Sequence, residues 1–208
     1  MPRIAPLCSN LGDLPGSAGP IDSGSANKPI RPMIDFSRNH FELFGLPERF
    51  RFDAASLDRA YRALQSEVHP DRFARAGEAE QRLALQSSAR VNEAYQALRD
   101  PVARAQYLLS LHGIDALSET NTSLPVEFLE RQLERREAAD VAMTARDART
   151  LESLLVAVRA DAAELERRLA AMLDGETDRE AARMPLRELK FLAKLGGDID
   201  AMLGELEV

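Results

Sequence analysis

Apolar side chains recur at helical spacing through most of the chain. Between residues 53 and 70 the steps from one apolar position to the next are 4, 3 and 4 residues, which places Leu57, Tyr61, Leu64 and Val68 on one face of a helix. A second stripe runs through about 78–99 and consists of Leu83, Ser87, Val91, Tyr95 and Leu98. We find no segment with the apolar-polar alternation of a half-buried strand. The pattern predicts an all-α fold.

Start and stop signals divide the first half into four helices. A short helix around Phe41 is closed by Gly45, because glycine adopts the left-handed conformation that often ends a helix. Asp53 is a favoured N-cap for the second helix, which Pro70 ends. After the third helix, Asp100-Pro101 supplies an N-cap and a first helical position for the fourth. We therefore expect a helical hairpin flanked by two shorter helices.

The second half predicts three further helices. The first covers about 126–144. The second carries an apolar stripe that ends before Gly175 and contains Leu151, Leu154, Leu155, Val158, Ala162, Leu165, Leu169, Met172 and Leu173. The third continues the rhythm across Gly196-Gly197, where helix propensity is weak, through Leu189, Leu192, Leu195, Ile199, Met202 and Leu206. Amphipathic helices with short connections pack as a bundle, so we expect a three-helix bundle.

Composition sets the limits of the domains. Residues 1–33 hold 6 of the 11 prolines and 4 of the 11 glycines and show no hydrophobic period, so we predict a disordered extension. The helical hairpin and its flanking helices occupy 34–112. Residues 113–124 are rich in Ser, Thr and Asn and are predicted to be a linker. The three-helix bundle then occupies 125–208.

Charge and cysteine content exclude several classes of function. The net charge is −7, and residues 113–208 alone carry 13 basic and 21 acidic side chains, so nucleic acid is not an expected partner. No apolar window approaches the roughly 20 residues that cross a bilayer, so no membrane association is expected. The single cysteine, Cys8, excludes an internal disulfide and a metal site built from several thiolates. We predict a cytoplasmic protein.

The tripeptide His69-Pro70-Asp71 lies in the turn of the predicted hairpin. For a hydrolase it is incomplete, because the nearby hydroxyl of Ser66 has no evident third group that would complete a triad. The other two histidines lie 29 and 43 residues away, so no local metal-ligand cluster exists. We predict no catalytic residue, no metal and no cofactor. A small hydrolase with His69 and Asp71 as an acid–base pair is the alternative that these residues leave open.

In its context this tripeptide resembles the J-domain, the co-chaperone module that stimulates ATP hydrolysis by DnaK-type chaperones. The resemblance includes the preceding residues 61–64, Tyr-Arg-Ala-Leu, and the downstream run 91–98, Val-Asn-Glu-Ala-Tyr-Gln-Ala-Leu, followed by Asp100-Pro101. It implies that residues 34–112 form a J-domain. It also implies that His69, Pro70 and Asp71 contact the chaperone, and that Arg59 and Arg62 add positive charge from one face of the second helix.

A narrower resemblance covers about 39–208. Residues 41–47 (Phe-Glu-Leu-Phe-Gly-Leu-Pro), 104–113 (Arg-Ala-Gln-Tyr-Leu-Leu-Ser-Leu-His-Gly) and 128–137 (Phe-Leu-Glu-Arg-Gln-Leu-Glu-Arg-Arg-Glu) are similar to the HscB family of iron–sulfur co-chaperones. The family implies two partners, an HscA-type chaperone and an IscU-type cluster scaffold. The bundle binds the scaffold and presents it, while the J-domain stimulates the ATPase, which supports cluster transfer and protein maturation. A J-domain co-chaperone for a general DnaK-type chaperone with a different client is the alternative.

The resemblance assigns scaffold binding to positions on two helices of the bundle, namely Leu129, Leu133, Glu134, Glu137 and Phe191. Helical geometry agrees with this, because Leu129 and Leu133 are neighbours at i and i+4 with a ladder of glutamates beside them. The pattern alone leaves a second interpretation open, in which both leucines belong to the core and the glutamates form a solvated face. Phe191 lies at the edge of its leucine stripe, where it either covers the core or projects from it.

Overall fold

A computed structural model describes residues 34–116, 123–175 and 178–206. These residues form seven α-helices and two short 3₁₀ turns, and the described part contains no strand, which confirms the all-α prediction. The helices are α1 His40–Phe44, α2 Ala54–Val68, α3 Glu78–Arg99, α4 Pro101–Leu111, α5 Val126–Thr144, α6 Ala148–Asp174 and α7 Arg183–Leu206, with 3₁₀ turns at Pro70–Phe73 and Arg179–Ala182. The extension predicted for 1–33, with Cys8, lies outside the described residues.

Capping residues set the helix boundaries of the first half. Asn39 and Glu42 form a capping box at the start of α1, and Gly45 ends this helix with φ +65°. The side chain of Asp53 accepts a hydrogen bond from the backbone N–H of Ala55 at the start of α2. Asp100 ends α3 and accepts from the N–H of Ala103 in α4 at 2.7 Å. The helices predicted from these signals are confirmed.

The α2–α3 hairpin forms the centre of the first half, with α1 and α4 packed against α3. Its core contains the fully buried Phe41, Leu57, Val91 and Leu98. Beside this core the rings of Tyr61 and Tyr95 stack with their centroids 4.0 Å apart. Each tyrosine hydroxyl donates to the opposite helix, to the side-chain oxygens of Asn92 and Asp58 respectively. The stack and its two hydrogen bonds hold the two helices of the hairpin together.

The second half is the predicted three-helix bundle. Among the described helices, α6 and α7 share the most extensive contact, and α5 packs against both. Phe128 of α5 meets Phe191 of α7, and Arg136 of α5 meets Asp198 further along α7, so these two helices run in the same direction. Helix α7 continues without interruption through Gly196-Gly197, and a Cβ atom added at Gly196 would lie 3.5 Å from the side chain of Val158 in α6.

The two halves also contact each other directly. Helix α4 packs against α6 and α7. Asp174, the last residue of α6, accepts hydrogen bonds from the backbone N–H groups of Phe50 and Arg51, at 2.5 and 3.0 Å. Arg187 of α7 donates to the carbonyl oxygen of Ala116. All described residues therefore belong to one compact unit, and the boundaries at 34–112, 113–124 and 125–208 stay a prediction.

No helix in the described ranges is long and apolar enough to cross a bilayer.

Candidate functional site

Backbone geometry fixes the turn of the hairpin, which we call the HPD turn (residues 69–71). Pro70 disfavours the helical conformation for the residue before it, and His69 ends α2 with ψ 127°. The Nδ1 atom of His69 accepts a hydrogen bond from the N–H of Asp71 at 3.3 Å. The Asp71 side chain is 91% exposed, so its carboxylate is available to a partner.

A shallow depression lies beside the HPD turn, along α2. Its lining comprises Tyr61, Arg62, Gln65, Ser66, His69 and Arg72. Arg72 also donates to the carbonyl oxygen of Ser66 at 2.9 Å, which ties the turn to the end of the helix. Because Tyr61 belongs to the tyrosine stack, one wall of the depression is held rigidly.

The other ring of this stack is Tyr95, whose hydroxyl donates a hydrogen bond to Asp58. This hydrogen bond raises the pKa of Tyr95, and burial is a second cause of the increase.

The two predicted arginines of α2 occupy different environments. Arg62 lines the depression together with His69, and its Nε donates to the carbonyl oxygen of Asp58. Arg59 is not part of the lining. It forms an ion pair with Asp53 at 3.3 Å and donates to the hydroxyl of Ser56, both at the start of α2. The structure thus brings Arg62 to the HPD turn and leaves Arg59 near the other end of the helix.

An apolar groove runs between α5 and α7 on the bundle. We call it the bundle groove; it is lined by Val126, Leu129, Glu130, Gln132, Leu133, Arg136, Phe191, Lys194, Leu195 and Asp198, and its volume is about 430 Å³. Leu129 is 41% exposed, Leu133 59% and Phe191 37%. The ring of Phe191 packs edge-on against the buried Phe128, with centroids 5.8 Å apart. The interpretation in which the two leucines belong to the core is therefore wrong.

Charged side chains stand around this apolar surface. On α5, Glu130 lines the groove, and Glu134 and Glu137 lie beside it without belonging to the lining. An ion pair between Arg136 and Asp198, 3.8 Å apart, connects the two helices at one end. An exposed apolar surface with a charged rim is typical of protein–protein interaction sites and not of a pocket for a small polar metabolite.

No group of three or more His, Cys, Asp or Glu side chains that could hold a metal ion occurs within the described ranges. The two candidate sites are a hydrogen-bonding turn on the hairpin and an apolar groove on the bundle.

Two family models match the chain, one on each half. Residues 39–107 match the DnaJ domain, and residues 124–200 match the HSCB C-terminal oligomerisation domain. The first range contains the HPD turn and the second contains the bundle groove.

Curated relatives match over almost their entire length. A co-chaperone protein HscB homolog from Burkholderia multivorans is 44% identical over 175 residues, covering 84% of this chain and 99% of the relative. A homolog from Paraburkholderia phymatum is 43% identical with the same coverage. This chain belongs to the HscB family of co-chaperones. As a family member it is a J-domain co-chaperone, which confirms the resemblance seen in the sequence.

Solved HscB structures share the fold. The chaperone HscB from Vibrio cholerae superimposes with a TM-score of 0.72 at 37% identity, covering 81% of this chain and 99% of its own. The human co-chaperone protein HscB superimposes with a TM-score of 0.71 at 28% identity, covering 80% of this chain and 83% of its own.

Some residues of the HscB groove were not found by sequence reasoning. Val126, Leu195 and the Arg136–Asp198 pair line the groove beside the predicted residues. Helix periodicity contained a signal for Val126, which lies three residues before Leu129 on the same face. On α7, Leu195 lies four residues after Phe191 and carries the same kind of signal. The Arg136–Asp198 pair carried none, because the register between two helices depends on tertiary packing.

Proposed function

We propose that this HscB protein is an adaptor of iron–sulfur cluster assembly that joins two partners. Its bundle groove binds an IscU-type scaffold through Leu129, Leu133 and Phe191, with Glu134 and Glu137 at the rim. Its HPD turn engages an HscA-type chaperone through residues 69–71, with Arg62 and Arg59 on α2. Coupling of the two partners raises the ATPase rate of the chaperone, and the adaptor catalyses no reaction itself. We place this activity in the cytoplasm, because the single cysteine gives no sign of an oxidising compartment.

The observation that carries the proposal is the exposure of the groove. Three large apolar side chains at the positions that the family resemblance implies are left open to solvent beside the closed core of the bundle. Leaving such surface exposed is unfavourable unless a partner covers it. Aromatic and aliphatic anchors in a groove with a polar rim are the usual centre of a protein interface.

Tethering explains how the adaptor stimulates the ATPase of the chaperone specifically for one client, the scaffold. When the scaffold occupies the groove and the chaperone engages the HPD turn, the scaffold is held near the chaperone at a high effective concentration. The direct contacts between the two halves of the adaptor limit how far these surfaces move apart. Joint stimulation by the adaptor and the scaffold, above the sum of their separate effects, is the expected signature.

The test is the ATPase rate of the HscA-type chaperone with the adaptor, in the presence and absence of the scaffold. His69→Gln is expected to abolish stimulation in both conditions while the helical signal and scaffold binding are retained. Leu129→Ala with Leu133→Ala is expected to remove only the scaffold-dependent part and to weaken scaffold binding by roughly 2–4 kcal/mol, the range of interface anchors. Because both leucines are exposed, the melting temperature should change little.

Matched variants separate these effects from general damage. Leu85 is an exposed leucine of α3, 58% accessible against 59% for Leu133, so Leu85→Ala should leave scaffold binding unchanged. His112 is an exposed histidine after α4, and His112→Gln should leave stimulation unchanged. Stimulation that ignores the scaffold would instead indicate a general J-domain co-chaperone with another client. ATP hydrolysis or other turnover by the adaptor alone would contradict the adaptor mechanism.

A further inference from the structure

The basic residues of this protein are almost all arginines, and its lysines are concentrated at one place. The sequence has 24 arginines and 3 lysines. Lys28 lies outside the described residues, and the other two, Lys190 and Lys194, stand on either side of Phe191 in α7. They are four residues apart and therefore share one face of the helix. Lys194 lines the bundle groove, and Lys190 is exposed one turn before it.

Outside the Arg136–Asp198 pair, the two sides of the groove carry charges of opposite sign. We call Lys190 and Lys194 the lysine rim, on α7, and Glu130, Glu134 and Glu137 the glutamate rim, on α5. None of these five side chains forms an ion pair with any residue that the structure describes. Eight arginine–carboxylate pairs occur elsewhere in the described ranges, and a ninth, Arg136–Asp198, connects the two helices of the groove. The apolar floor separates the rims, so their charges remain available to a partner.

The direction of the groove is defined as well. Because α5 and α7 run in the same direction, the rims lie side by side along the groove. The Arg136–Asp198 pair connects the helices at the end toward the C-terminus of α7, whereas Val126 and Lys190 mark the other end. The groove therefore has an apolar centre, one positive side, one negative side and one bridged end. Because this arrangement is not symmetric, a partner would not bind equally well in a reversed orientation.

We propose that the lysine rim is a second, specificity-determining element of the bundle groove, which selects the orientation of the bound partner. This rests on the proposed function, in which a scaffold protein occupies the groove. The partner surface has an apolar ridge for Leu129, Leu133 and Phe191, basic side chains on the flank facing α5, and acidic side chains on the flank facing α7. Lysine suits this task because its compact ammonium group on a flexible stem reaches a partner carboxylate without the fixed geometry that a bidentate arginine needs. Complementary charges of this kind fix the docking register and discriminate against wrong partners.

The test reverses two charges on each rim and leaves Glu130 in place, so the net charge of the protein does not change. Glu134→Lys, Glu137→Lys, Lys190→Glu and Lys194→Glu are combined in one variant, and its affinity for the cluster-free IscU-type scaffold is measured by titration calorimetry. We expect a loss of at least tenfold at low salt that becomes smaller at 0.5 M salt, because exposed charges are screened. Lys190→Glu with Lys194→Glu alone should also weaken binding, and Lys190→Arg with Lys194→Arg should largely restore it.

Control variants distinguish a failure of the orientation role of the lysine rim from a failure of the proposed function. Arg149→Glu with Arg168→Glu makes the same change of charge on α6, away from the groove, and should alter affinity less than threefold. If the variant with both rims reversed binds like wild type, or if the α6 control weakens binding as much as the lysine reversal does, the orientation role of the lysine rim is overturned. If wild type does not bind the scaffold, or if Leu129→Ala with Leu133→Ala binds normally, the proposed function itself fails. Circular dichroism of each variant verifies that the bundle remains folded.

Discussion

At the scale of single residues, His40 shows how burial changes the chemistry of a side chain. It begins α1, is only 5% exposed, and stacks on Tyr107 with ring centroids 4.0 Å apart. Its backbone N–H donates to the hydroxyl of Tyr107, but its Nδ1 has no hydrogen-bond partner among the described residues. Burial lowers the pKa of His40, the charge of Arg90 lowers it further, and Glu93 opposes the shift. The folded protein therefore favours the neutral ring.

A pH dependence of stability follows for this residue. The unfolded chain takes up a proton at His40 near pH 6.5, whereas the folded protein resists it until a lower pH. The stability that the neutral ring provides is thus fully present above about pH 6.5 and is lost as the pH falls toward the lowered pKa of the folded state. We expect the free energy of unfolding to decrease less between about pH 7 and pH 5.5 in His40→Phe than in wild type. Urea unfolding at several pH values measures this, and an identical decrease in both proteins would contradict it.

The solvent exposure of individual leucines in the bundle differs between positions that look alike in the sequence. Leu129 and Leu195 both belong to apolar stripes of the bundle, yet Leu129 is exposed and Leu195 is 4% exposed in the lining of the same groove. An amphipathic pattern predicts which face of a helix is apolar. It does not say whether this protein or a partner covers the edge of that face.

At the scale of secondary-structure elements, capping and periodicity explain why the helices were predictable. The N-caps Asp53 and Asp100 and the stop at Gly45 act through backbone hydrogen bonds within a few residues. Local interactions of this kind are encoded in neighbouring sequence positions, so no tertiary information is needed to recognise them. The expected weakness at Gly196-Gly197 did not interrupt α7, because the extensive packing of this helix against α6 outweighs the low helix propensity of glycine.

Two glycines should respond in opposite directions to the same substitution. Gly197 lies in the middle of α7, where an added Cβ atom would meet nothing within 4 Å, so Gly197→Ala should raise the free energy of unfolding by about 0.5–1 kcal/mol. Gly113 follows α4 with φ +74°, where a Cβ atom is strained although space is free. Gly113→Ala should lower the free energy of unfolding by about 1–2 kcal/mol. Chemical denaturation of both variants measures this, and shifts of the same sign would contradict the assignment.

At the scale of the whole molecule, Asp174 connects the bundle to the first half. A carboxylate at the last position of a helix is unfavourable, because the helix dipole places partial negative charge there. Hydrogen bonds from the N–H groups of Phe50 and Arg51 offset this cost. The guanidinium of Arg104 lies over the rings of Phe50 and Phe52, at 4.7 and 4.9 Å from their centroids, and holds the same segment from α4. This segment leads directly into α2, the helix that ends at the HPD turn.

Removal of this carboxylate should loosen the junction. We expect Asp174→Ala to lower the free energy of unfolding by about 1–3 kcal/mol, because it leaves two backbone N–H groups without their charged acceptor. The amides of Phe50 and Arg51 should exchange faster with solvent. Asp200→Ala serves as a control, since its exposed ion pair with Arg159 should contribute no more than about 1 kcal/mol. Equal effects of the two substitutions would show that Asp174 does not stabilise the junction.

The sequence by itself determined the class of fold, the helices, the caps Gly45, Asp53 and Asp100, and the two regions of functional interest. Helical period, N-cap residues and the HPD tripeptide are local features that one stretch of chain carries completely. Only the tertiary structure decided that Leu129 and Leu133 are exposed and that Lys194 and Asp198 share a groove with α5. It also decided that Asp174 accepts hydrogen bonds from a segment more than 120 residues earlier in the chain. The physical reason is the same in each case: these properties depend on the register between helices that are distant in sequence, which is fixed when their side chains pack against each other.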